Sequence, residues 1–136
     1  MNALSGRTSL DPKALEDIVQ SVLNEAGSQG VDQAEVSASH DIGLTATARL
    51  GEVESLEYTN DRGIGITVYK DQRKGSASTS DFSADALKEV VTKACTFAEL
   101  TAPDKHSGLA DAELMATDPP DLDLAHEWGV ESDEAI

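Results

Sequence analysis

Aromatic side chains are scarce in this chain, at 4% of its 136 residues. A core built without them must be aliphatic, drawn from Leu, Ile, Val and Ala, and this length allows one domain of modest core. There is a single cysteine, Cys95, which excludes an intramolecular disulfide. It lies eight positions after Leu87 on an apolar helical pattern, so it reads as a small core residue in a reducing compartment. A reactive thiol would need an electropositive, accessible setting, and none is evident nearby. No segment approaches the ~20 consecutive apolar residues that span a bilayer. Residues 1–9 include Arg7 but no apolar h-region, so no signal peptide is expected and the location expected is the cytoplasm.

Positive charge is also scarce. Ten Lys and Arg face 26 Asp and Glu, for a formal net charge of -16. Phosphate backbones and anionic lipid repel such a chain, so neither nucleic acid nor membrane is expected as a partner. The imbalance concentrates at one end. From His106 onward there is no Lys or Arg, while nine carboxylates run from Asp111 to Glu134. The expected division is a disordered N-terminus over 1–10, an α+β domain over 11–105, and an acidic linker or start of a following region over 106–136.

What is present is mainly hydrophobic periodicity. Asp11-Pro12 is a helix start, with Asp as N-cap and Pro where a missing N–H costs nothing. Leu15, Ile18, Val19, Val22, Leu23 and Ala26 then share one helical face, and Gly27 and Gly30 offer C-cap positions. From Ala34 the period becomes two: Ala34, Val36, Ala38, Ile42, Leu44, Ala46, Ala48 and Leu50 have one parity, which predicts a half-buried strand. Its length favours a bend or break near His40-Asp41-Ile42-Gly43. Leu50-Gly51 turns the chain into a second strand over about 52–59. There Val53 is out of parity with Leu56 and Tyr58, which a bulge near Glu54-Ser55 would reconcile. Asn60-Asp61-Arg62-Gly63 reads as a turn, 64–70 as a third strand, Asp71-Gln72-Arg73 as another turn, and 74–80 as a fourth strand.

That fourth strand holds only small residues after Lys74, so a neighbour must approach its backbone closely. A second helix follows, with Ser83 as N-cap, a Phe82–Leu87 staple, and a buried face of Leu87, Val90, Val91, Ala94, Ala98 and Phe97. Residues 109–115 hold one short helical turn. Ser132-Asp133-Glu134-Ala135-Ile136 reads as a capped helix start, so the chain is expected to be the opening part of a longer protein. The fold expected is α+β: a two-layer sandwich of an antiparallel four-stranded meander and two amphipathic helices, in the order α-β-β-β-β-α.

Four clusters carry candidate chemistry. Asp121, Asp123, His126 and Glu127 hold metal-ligand types, but His126-Glu127 is not followed by a second His at position 130, which is Val130. Their acidic, Pro-flanked setting suits an extended linker better. His40-Asp41 places its carboxylate on the opposite strand face from the imidazole, which is not how a triad orients a ring. Lys74 shares a face with Ser76, Ser78 and Ser80, yet a Ser–Lys dyad needs a desolvated amine within reach of the hydroxyl. A polar face or edge is the better reading. Gly63-Ile64-Gly65 enters a strand and lacks the third glycine of a dinucleotide fingerprint, so it reads as a turn plus a close packing contact. No catalytic, cofactor-binding or metal-binding residue is assigned.

Ala34-Glu35-Val36, Gly51-Glu52-Val53-Glu54, Gly65-Ile66-Thr67-Val68-Tyr69 and Arg73-Lys74-Gly75-Ser76-Ala77-Ser78 together resemble the N-terminal region of the PmbA/TldD family of bacterial metalloprotease subunits, on its PmbA (TldE) side. Asp118-Pro119-Pro120-Asp121-Leu122-Asp123-Leu124 and the last five residues also resemble it. The resemblance runs from about residue 11 to the end. It implies a cytoplasmic two-subunit complex that degrades or trims unfolded peptides, including microcin precursors and an antitoxin. It also implies a chain roughly three times this length. The metal, zinc, would lie in the TldD-like partner on an H-E-x-x-x-H motif. Here the position of its second His after His126-Glu127 is Glu131, so no catalytic residue of the family carries over. The resemblance thus implies a non-catalytic domain that assembles the complex and lines a chamber for extended peptides. The alternative is a non-enzymatic scaffold or peptide- or protein-binding module.

Overall fold

In the computed structural model, residues 10–124 are described. Helix α1 (Pro12–Ser28) begins as its sequence dictates: the Asp11 carboxylate accepts the Lys13 N–H at 3.1 Å and Pro12 occupies the first turn. Its end is capped at Gln29, whose N–H reaches the carbonyls of Glu25 and Ala26. Gly30 then leaves at φ 74, a left-handed value that costs glycine little. Helix α2 (Ala84–Leu100) has Ser83 as N-cap by backbone geometry, but the serine side chain makes no capping bond. The carboxylate of Asp81 instead accepts the Ser83 N–H at 2.8 Å. Leu87, Val90, Val91, Ala94 and Ala98 are buried as expected, together with Cys95. Phe97 is not buried with that face; it is 49% exposed, although it lies within about 20° of the buried Val90 around the helix.

The sheet has three strands rather than four: β1 (Gln33–Arg49), β2 (Glu52–Lys70) and β3 (Arg73–Thr79), in the order β1-β2-β3. The turn expected at Asn60-Asp61-Arg62-Gly63 is absent, and those residues continue β2. None of the four has a positive φ, and Asn60, Asp61 and Arg62 are exposed in the strand. Strand β1 also runs unbroken through 40–43. Sheet pairing, with β2 between β1 and β3, outweighs the local turn preference. The two real turns are marked by consecutive positive φ values, 54 and 84 at Leu50 and Gly51, 51 and 61 at Asp71 and Gln72. Such pairs are the mark of tight two-residue hairpins.

The described residues form two compact units. One contains residues 41–60 and 110–124, the other residues 10–40 and 61–109. In the first, β1 and β2 are neighbours, and a Cβ placed on Gly43 would lie 3.8 Å from the Cβ of Thr59. The remaining helical element here is one 3-10 turn, Ala112–Leu114.

In the second unit the helices cover one sheet face. Val22 and Ala26 of α1, Ile64, Ile66 and Val68 of β2, and the buried stripe of α2 form a single cluster, flanked by Ala34, Val36, Ala38, Ala77 and Phe82. Each fully buried Val, Leu or Ile contributes about 1.5–3 kcal/mol. This unit is a two-layer α+β arrangement. It continues past α2: Asp104 N–H donates to the Gln72 carbonyl at 2.7 Å, and Leu109 N–H to the Gln33 side chain at 2.9 Å.

The close approach expected of the small-residue strand occurs at Gly75. A Cβ there would overlap the Ala94 carbonyl oxygen and the Ala98 backbone nitrogen of α2. Gly63, by contrast, has open space around it. Gly75→Ala should therefore cost about 3 kcal/mol through forced separation of α2 from β3, while Gly63→Ala should stay within about 1 kcal/mol of the parent. Urea unfolding midpoints of the two variants will test this; equal midpoints would mean that α2 does not rest on β3.

Candidate functional site

The sheet face opposite the helices is built from the other parity of the same strands. Register pairs Gly65 with Ser78, Thr67 with Ser76 and Tyr69 with Lys74. A Cβ on Gly65 would sit 3.7 Å from the Ser37 hydroxyl, so Ser37 of β1 flanks the same glycine from the other side. The result is a pair of shallow hollows along β2, with Gly63 and Gly65 lying between Ser37 and Ser39 of β1 and Ser78 and Ser80. Thr67 and Ser76 share a hydroxyl–hydroxyl hydrogen bond of 2.9 Å. Glu35 borders the first hollow.

This face offers hydroxyls and reachable backbone but no activated nucleophile. Serine attack needs a base within hydrogen-bond reach. Lys74 lies opposite Tyr69, and among the described residues no bond joins its amine to Ser76, Ser78 or Ser80. The grouping of Ser76 and Ser78 on one face with Lys74 was legible from strand alternation. Ser37, Ser39, Gly65 and Thr67 were not linked to them, because cross-strand neighbours follow from register; the polar parity of β1 was the available signal.

The other candidates are dispersed. The Nδ1 of His40 accepts the Leu10 N–H at 2.8 Å, which ties the chain just before α1 to β1, and Asp41 is exposed. Gly63-Ile64-Gly65 lies within β2 and forms neither a turn nor a close contact; Gly75 makes the close contact instead. Asp121 and Asp123 are exposed, and the Asp121 carboxylate accepts the Asp123 N–H at 3.0 Å. His126, Glu127 and the helix start at 132–136 lie outside the described residues.

Residues 34–98, from the first residues of β1 to the last buried turn of α2, match the family model of PmbA/TldA metallopeptidase domain 1. The chain belongs to the PmbA/TldD family. Metalloprotease PmbA of Escherichia coli O157:H7 is 46% identical over 124 residues, covering 91% of this chain and 27% of that protein. A PmbA homolog of Haemophilus influenzae is 49% identical over 102 residues, covering 75% and 23%. The chain thus spans about a quarter of the length of these curated relatives. Two solved structures share the fold. TldE of Thermococcus kodakarensis superposes with a TM-score of 0.57 at 23% identity, over 68% of this chain and 20% of that one. A candidate modulator of DNA gyrase from Bacteroides thetaiotaomicron gives 0.61 at 22%, over 78% and 24%.

Membership of a metallopeptidase family raises the question of a metal. Among the described residues no three His, Cys, Asp or Glu side chains converge, and the Asp121 and Asp123 carboxylates are solvated. These residues do not fit a metal site, and no chemical step is assigned through one.

Among the described residues, two groups have shifted pKa values. The Ser83 backbone N–H, then its hydroxyl, hold Asp81 below the usual carboxylate range, with Arg62 adding a smaller pull against some desolvation. A depressed carboxylate stabilises the fold above its unfolded value of about 3.9 and loses that effect as pH falls through its lowered folded value. A carbon-detected NMR titration of Asp81 should give a midpoint under about 3.9, and Asp81→Asn should remove this limb of the acid-unfolding profile. A midpoint at or above the ordinary value would contradict the cap. Burial pushes the Cys95 thiol up, with Glu99 and Glu25 reinforcing and Lys70 opposing. At pH 8 an aromatic disulfide reagent should label Cys95 only as the protein opens; rapid stoichiometric labelling of folded protein would refute a core role.

Proposed function

We propose that this chain is the N-terminal domain of a PmbA-like (TldE-like) subunit of a heterodimeric cytoplasmic metalloprotease, one that processes or degrades unfolded peptides. In this reading the domain is non-catalytic. It helps assemble the complex and walls the chamber that admits extended peptides, while a TldD-like partner carries the zinc. The observation that carries the reading is the open serine, threonine and glycine face of a sheet whose other face is filled by α1 and α2. Such a face lets another backbone approach closely, and β3, at the sheet edge, offers main-chain groups for strand addition by a peptide. The family match and the curated relatives named metalloproteases support the activity of the assembly. The lone buried cysteine, and the lack among the described residues of any helix long and apolar enough to cross a membrane, accord with the cytoplasm.

The test is reconstitution. A protein carrying this domain should co-purify with a TldD-like subunit and support cleavage of an unfolded peptide, and this domain alone should cleave nothing. On adding peptide to the complex, backbone amides of residues 74–80 should gain protection in hydrogen exchange. A stable fold with no TldD-like complex would favour the scaffold or binding-module reading instead. A complex without protection at 74–80 would remove peptide contact from β3.

A further inference from the structure

The tip of the hairpin formed by residues 41–60 is occupied by Leu50. It is 97% exposed and has φ 54, the left-handed region. Both properties work against leucine. A branched side chain is disfavoured there, and the first position of such a turn prefers Asn, Asp or Gly. A fully exposed Leu buries nothing in return. Folding of the hairpin therefore gives no reason for this residue, and strain of this kind points to a function outside the fold.

The surroundings extend the feature. Val53, 39% exposed, and Leu56, 36% exposed, lie on the strand that leaves this tip. Glu52, Glu54 and Glu57 are interspersed with these residues, and Arg49 is the lone cation between residues 41 and 60. Arg49 is already engaged with Glu54 at 3.4 Å. A second copy of this chain would bring the same acidic rim and a net charge of -16 against itself.

We propose that Leu50, supported by Val53 and Leu56, is the apolar anchor by which this domain docks onto the partner subunit, in an apolar pocket rimmed by Lys or Arg. This rests on the heterodimer reading above and adds the surface that makes the contact. Interfaces concentrate their energy in a few such anchors inside a charged rim.

The experiment compares the parent protein with Leu50→Asn and Leu56→Glu, each mixed with a purified TldD-like subunit. Asn suits the left-handed turn, so L50N should keep or raise the thermal midpoint while weakening the complex more than tenfold. L56E should weaken it similarly, and affinity of the parent should fall as salt is raised. Unchanged affinity in L50N, or a lowered thermal midpoint showing that Leu50 serves the fold, would overturn the anchor. A parent protein that forms no complex would overturn the heterodimer reading and the anchor together. A self-dimer that L50N dissolves, seen by light scattering, would assign the surface to a second copy and overturn the partner named here.

Discussion

The direct seating of α2 on β3 at Gly75 decides much of the second unit. Without a Cβ at Gly75, the backbones at Ala94 and Ala98 come down to van der Waals contact with the strand. Register sets Gly75 opposite Val68, which is fully buried, so the contact lies over the centre of the core. Small residues on both elements make this possible, and the aliphatic stripe of α2 then reaches Ile64, Ile66 and Val68. With few aromatics to fill space, close backbone approach is how this core reaches native packing density.

Fixing which side of β3 faces α2 also fixes the other side. Strand alternation sends Ser76 and Ser78 outward because Gly75 and Ala77 point inward. The same parity in β1 and β2 sends out Ser37, Gly65 and Thr67. A hydroxyl- and glycine-lined face is therefore a consequence of where the helices sit, not an independent construction. Among the described residues no group of three His, Cys, Asp or Glu side chains that could hold a metal lies on it.

The hairpin of residues 41–60 follows a different logic. Its strands are neighbours in the sheet, and β2 continues through Asn60-Asp61-Arg62-Gly63. Arg62 shows how: its guanidinium donates to the Ser80 carbonyl at 3.2 Å and lies 5.2 Å from the centre of the Phe82 ring. Tertiary partners thus hold extended a segment whose local preference is to turn. At the far end the preference and the structure disagree again, since Leu50 occupies a conformation better suited to Asn or Gly.

Period and capping were enough to determine both helices, the two true hairpin turns, the polar and apolar parities of the strands, and the burial of Cys95. Each depends on interactions within a few residues, so each is written locally. The number of strands, the fate of 60–63, the exposure of Phe97 and the joining of Ser37, Gly65 and Ser78 on one face were decided only in three dimensions. Those depend on which strand pairs with which and in what register, and that is settled by contacts between residues distant in the chain.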